Sequence, residues 1–140
     1  MSTLTWNPKR VAILTSGGDA PGMNAAVRAA SALLLSKDIE PWGVRYGYRG
    51  LIKDELFPLQ AVDFADIIRD GGTILGSARS PEFMTKEGRD IARDNLKKHQ
   101  IDGLIIIGGN GSLAGALKLS DPDECGSSYT APRVIGIPAS

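Results

Sequence analysis

The chain has 140 residues, 42% of them hydrophobic, with 16 acidic and 16 basic side chains that cancel to a net charge of zero, the composition of one globular domain large enough to bury a core. Without a basic surplus it offers no field to gather nucleic acid or dock on a membrane surface, and no apolar run approaches the roughly 20 residues that span a bilayer. The N-terminal MSTLTWNPKR lacks the apolar core of an export signal, and the single cysteine, Cys125, excludes an internal disulfide or a cysteine-based zinc cluster, which together point to a cytoplasmic protein.

Residues 1–9 read as a tail and residues 10–140 as one α/β domain. The apolar run Val11–Leu14 predicts the first strand. It leads into TSGGDAPGMNAA, from Thr15 to Ala26, and a first helix that starts near Pro21 or Gly22, since proline is tolerated where an amide has no intrahelical partner, and runs to about Ser36. Trp42–Val44 predicts the second strand. Asp63 to about Arg69 predicts a helix that stops at Gly71 and Gly72.

A further helix over Lys86 to His99 is expected to turn Ile91 and Leu96 inward and its charges outward. Leu104–Ile107 then predicts a buried strand, and a last helix begins after GGNGS (Gly108–Ser112) and reaches about Leu119. Ser120–Pro132 reads as loop, and Val134–Ile137 as the closing strand. Alternating strands and helices predict a mainly parallel sheet, and continuous rather than alternating apolar strands require helices on both faces.

Two glycine-rich turns, one after each of the strands at Val11 and Leu104, carry the chemistry. Glycines let backbone amides approach a phosphate without obstruction, and the helix that follows adds the positive end of its dipole. Neither turn matches GxGxxG or GxxxxGK[ST]. Either alone is equally read as a turn that only closes the fold; together, at the carboxyl ends of strands in one sheet, they point to a shared ligand crevice. Arg79, among the small residues Ser77, Ala78 and Ser80, has the planar fork that suits phosphate, or is a solvated loop arginine. His99, Lys97 and Lys98 read as a solvated helix end, and Cys125 has no partner for a nucleophilic role.

The blocks RVAILTSGGDAPGMNAAVR, GYRGL, GGTILGSARSPEF, GLIIIGGNGSLAGAL and VIGIPAS, in this order, strongly resemble the N-terminal half of 6-phosphofructokinases from about Arg10 to Ser140. The resemblance implies a three-layer α/β/α sandwich and an enzyme that moves the γ-phosphoryl of ATP, with Mg2+, onto the 1-hydroxyl of fructose 6-phosphate, as a cytoplasmic homo-oligomer. It implies that Gly18 contacts the nucleotide, that Tyr48 lies near adenine and ribose, and that Arg79 and Ser80 contact phosphate. Gly109, Asn110, Gly111 and Ser112 fall on the nucleotide and magnesium loop, and Ser140 on a sugar-phosphate contact.

In the family, GGDGS accompanies ATP and GGDDS pyrophosphate; Gly111 therefore favours ATP, because a carboxylate there would crowd the α-phosphate. The alternatives are a pyrophosphate-dependent relative and a non-catalytic nucleotide-binding module. Three departures stand out. Asn110 replaces the aspartate that helps hold magnesium, which predicts weaker metal binding. Of the arginines of the bacterial allosteric site only Arg28 is matched, with Ala32 and Ala61 at the other positions. Ser140 falls on the threonine that opens the family's TIDND segment, and its aspartates, one of them the catalytic base, are expected after it, so the 140 residues by themselves are expected to lack kinase activity, as a fragment would.

Overall fold

A computed structural model describes residues 7–16, 22–59, 75, 80–125 and 132–138. The elements, in chain order, are β1 (Arg10–Thr15), α1 (Met23–Ser36), β2 (Glu40–Val44), α2 (Gly47–Lys53), β3 (Leu56–Pro58), a 3₁₀ turn (Pro81–Met84), α3 (Lys86–Lys98), β4 (Gly103–Gly108), α4 (Asn110–Leu119), α5 (Pro122–Cys125) and β5 (Arg133–Pro138). The strands form one sheet in the order β3-β2-β1-β4-β5, parallel except for β3, which runs antiparallel to β2. The mainly parallel α/β architecture expected from the sequence is thus observed.

Successive side chains of a strand point to opposite faces, and both faces of β1 are apolar. Val11 and Ile13, with Ile105 and Ile107 of β4, meet Met23, Val27 and Leu34 of α1. On the other face Ala12, Leu14, Val44, Leu104 and Ile106 meet Leu51 of α2, Ala92 and Leu96 of α3, and Ala116 and Leu119 of α4. These are the three layers the resemblance implies. No helix among the described residues is long and apolar enough to cross a membrane.

Several sequence expectations need correction. Leu96 of α3 does face inward, but Ile91 is 44% exposed. The buried stripe is Gly88, Arg89, Ala92, Arg93 and Leu96, and the helix turns two arginines into the protein because partners for both guanidinium groups wait there. α4 begins at Asn110 rather than after Ser112, so the glycine-rich turn is itself the first turn of a helix. α5 interrupts the stretch read as loop, and α2 and β3 went unrecognised as elements. The helix expected over Asp63–Arg69 lies outside the described residues.

His99 is not a free solvated end. Its Nε2 lies 2.6 Å from Asp54 Oδ1, its ring is 5.2 Å from that of Trp42, and its carbonyl accepts from the Arg10 guanidinium at 2.9 Å. Asp54 reaches it because the C-cap of α2 takes a left-handed turn with φ of 61°. The Asp54 carboxyl is held below its usual range, chiefly by the hydrogen bond from Lys98.

Candidate functional site

β1 and β4 are neighbours, with Thr15 opposite Ile107, and the Ser16 amide continues the ladder onto the Ile107 carbonyl at 2.9 Å. From β1 the chain goes by α1 to β2 on one side, and from β4 by α4 to β5 on the other. The crevice between their carboxyl ends is therefore the point where the strand order reverses, the place at which open α/β sheets bind ligands. Both glycine-rich turns leave from it. Closeness there demands glycine: a Cβ on Gly108 would stand 2.7 Å from the Ser16 carbonyl oxygen.

The two helices entered from these turns share a property. Gly22 and Gly109 are the N-caps of α1 and α4, and among the described residues neither helix has a side-chain cap hydrogen bond or an acidic residue in its first turn. By contrast α3, away from the crevice, is capped by Thr85, whose hydroxyl accepts from the Gly88 amide, and carries Glu87 in its first turn. First-turn amides have no intrahelical acceptor and stand at the positive end of the dipole. Leaving them uncapped at the crevice keeps them available to an anion. Asn110 and Gly111 are exposed, and among the described residues nothing lies within 4 Å of the space a Cβ on Gly109 or Gly111 would fill.

Tyr48 enters from the side. Gly47, with φ of 59°, brings α2 against the end of β1, where a Cβ would stand 3.0 Å from the Thr15 carbonyl oxygen. The Tyr48 hydroxyl then donates to the Ser112 carbonyl at 2.5 Å. Its ring stacks on Phe83, centroids 3.8 Å apart and planes 11° from parallel. Gly115 of α4 makes room for both rings, since a Cβ there would meet Phe83 at 3.1 Å and Tyr48 at 3.4 Å. Burial pushes the Tyr48 phenol well above its usual range, so it is a neutral donor at all working pH values.

The profile of the family described as "Phosphofructokinase" matches residues 10–140. The chain belongs to the phosphofructokinase family. It is 52% identical over 112 residues to the ATP-dependent 6-phosphofructokinase of Lactobacillus delbrueckii subsp. bulgaricus, an alignment that covers 80% of this chain and 35% of that protein. It is 48% identical over 130 residues to the enzyme of the same name from Staphylococcus aureus, covering 93% of this chain and 38% of that one. The structure of phosphofructokinase from Saccharomyces cerevisiae superposes with a TM-score of 0.84 at 35% identity, over 94% of this chain and 20% of that one. The chain thus spans little more than a third of the length of these curated relatives.

In this phosphofructokinase chain the fold brings Tyr48, Gly109, Asn110, Gly111 and Ser112 to one crevice. Ser80 opens the 3₁₀ turn, its carbonyl accepting from the Phe83 amide at 3.1 Å, and so belongs to the segment that delivers Phe83. Gly18, Arg79 and Ser140 lie outside the described residues. Phe83 was not singled out from sequence, because a phenylalanine after a proline turn reads as ordinary core. Its only signal was its place inside a block shared with the family. Among the described residues no three His, Cys, Asp or Glu side chains converge on a metal position. A Mg2+ at the Asn110 turn would find one neutral amide oxygen, which suits an ion that keeps most of its waters and binds through phosphate oxygens.

Below the aromatic pair, Arg89 spans two partners. Its Nε and Nη2 donate to the two carboxylate oxygens of Glu124 at 2.8 and 2.6 Å, and its Nη1 donates to the Phe83 carbonyl at 2.9 Å. Arg93, 2% exposed, also meets Glu124 and donates to the Leu119 and Lys118 carbonyls at the end of α4. The Arg89 hydrogen bond, aided by Arg93, holds the Glu124 carboxyl down at about 2.

Proposed function

We propose that residues 10–140 form the nucleotide-binding domain of an ATP-dependent 6-phosphofructokinase, which with Mg2+ phosphorylates the 1-hydroxyl of fructose 6-phosphate. The observation that carries this reading is the pair of uncapped helix N-termini facing the crevice between β1 and β4. Amides of Gly109, Asn110, Gly111 and Ser112 would hold the donor's phosphates, with Gly18 on the opposite turn. The open space at Gly111 leaves room for a nucleotide α-phosphate, which supports ATP over pyrophosphate.

Arg79 and Ser80 would add phosphate contacts, and Ser140 a contact to the sugar phosphate. When bound, Mg2+ would supply charge neutralisation across the phosphate oxygens, and Asn110 would hold it directly or through water. Phosphoryl transfer depends mainly on such positioning and charge stabilisation. The resemblance puts the acceptor of the hydroxyl's proton beyond Ser140. A cytoplasmic homo-oligomer fits the family.

Calorimetric titration with Mg-ATP tests the reading. The protein is expected to bind, and Gly111→Asp to lose at least about tenfold in affinity, worth ~1.4 kcal/mol, since a carboxylate would enter the phosphate space. Undiminished binding by Gly111→Asp would refute the assignment of this turn, and preference for pyrophosphate over ATP would overturn the choice of donor.

A further inference from the structure

We infer that Glu124 and Arg89 are positioning residues for the candidate nucleotide turn, acting through Phe83 and Tyr48 and touching no ligand themselves. The inference rests on the reading of Gly109–Ser112 as the phosphate-binding turn. Four contacts join the ends of this chain of residues. The Glu124 carboxylate grips Arg89 in a two-pronged bond at 2.8 and 2.6 Å. The remaining Nη1 of Arg89 holds the Phe83 carbonyl at 2.9 Å. The Phe83 ring stacks on Tyr48, and the Tyr48 hydroxyl holds the Ser112 carbonyl.

Each link is buried or nearly so: Arg89 is 7% exposed, Phe83 3% and Tyr48 7%. Little water competes for these bonds, so a displaced Phe83 must displace Tyr48 with it. The planar guanidinium is required, because a lysine ammonium in its place lacks the fork that grips a carboxylate and reaches a carbonyl together. Glu124 comes from α5, a helix of four residues that has no anchor of its own length. The charged bonds to α3 fix where α5 sits, and the same carboxylate orients Arg89.

Arg93 provides an internal control. It shares Glu124 and is at least as deeply buried, and its guanidinium also holds Asp90 and the Lys118 and Leu119 carbonyls at the far end of α4. Replacing either arginine by lysine therefore costs packing and charge-assisted bonds of the same kind. The Arg89 change breaks the bond to the Phe83 carbonyl directly.

The experiment compares Arg89→Lys, Arg93→Lys and the wild-type protein by thermal melting and by calorimetric titration with Mg-ATP. Both variants are expected to melt lower. Only Arg89→Lys is expected to bind Mg-ATP more weakly, by about 3- to 10-fold, the loss of roughly one hydrogen bond's positioning. Equal affinities in the two variants would overturn the inference while leaving the nucleotide reading intact, and a wild-type protein that binds no Mg-ATP would overturn the reading itself. Should Arg89→Lys fail to fold, Tyr48→Phe tests the other end by removing only the hydroxyl. A similar drop in affinity supports the line to Ser112, and wild-type affinity overturns it.

Discussion

β4 and β5 lie side by side in parallel register, from Gly103 opposite Arg133 to Gly108 opposite Pro138, and their sequences GLIIIG and RVIGIP are both apolar runs closed by a turn-forming residue. Every residue of β4 is buried, whereas none of β5 is. An apolar run thus reveals that a strand needs cover, but the neighbours decide whether it gets it. β4 has a strand on each side and helices on both faces. β5 stands at the sheet edge, where Ile135 is 56% exposed.

The sharpest way to break this comparison is to shorten the same side chain in each strand. Ile106→Ala, at a fully buried position, is expected to cost about 2–5 kcal/mol by urea denaturation, and Ile135→Ala less than about 1 kcal/mol. Equal losses would mean that β5 is covered in solution. The glycines give a second contrast. A Cβ on Gly108 meets a backbone oxygen at 2.7 Å, whereas one on Gly136 meets the tip of the Leu113 side chain at 2.5 Å. Since the Ser16 carbonyl is backbone, tied to the sheet through the Ser16 amide, and the side-chain tip can turn away, Gly108→Ala should cost about 1–3 kcal/mol and Gly136→Ala under about 1 kcal/mol in the same assay.

Acid should sharpen the difference further. Glu124 has a folded-state pKa of about 2 against an ordinary 4.5, so its contribution is complete above about pH 4.5 and is lost as pH falls towards 2. Hydrogen exchange at falling pH is expected to open α5 before β1 and β4; simultaneous opening would contradict that order. The smallest effect concerns Ile135→Lys. It should leave the unfolding free energy within about 0.5 kcal/mol while reducing self-association at high concentration, read by light scattering, because a lysine on an exposed edge strand discourages edge-to-edge pairing.

The elements legible in the sequence were those whose signal is local. VAIL and LIII announced the central strands, the glycine turns after them announced the crevice, and the GGNGS block with its neighbours announced the family. What escaped depended on partners distant in the chain. Arg89 and Arg93 read as outward charges because nothing near them shows that Glu124, more than 30 residues later, will arrive to balance them. GYRGLIK carries two glycines, which lower helix propensity, and it is helical because its apolar side packs on α3 and the sheet. The three residues of β3 are too few to show a period. The resemblance supplied Tyr48 without the reason for its place, which is the Ser112 carbonyl.

Trp42 gives the molecule an optical handle. Its ring is buried between the Arg10 guanidinium, 5.3 Å from the ring centre, and His99, and its indole nitrogen has no hydrogen-bond partner among the described residues. An indole so placed emits at shorter wavelength than one in water. It stands between β1 and the C-cap of α3, away from the Gly109–Ser112 turn, so its colour should follow the integrity of the sheet while remaining indifferent to what occupies the crevice.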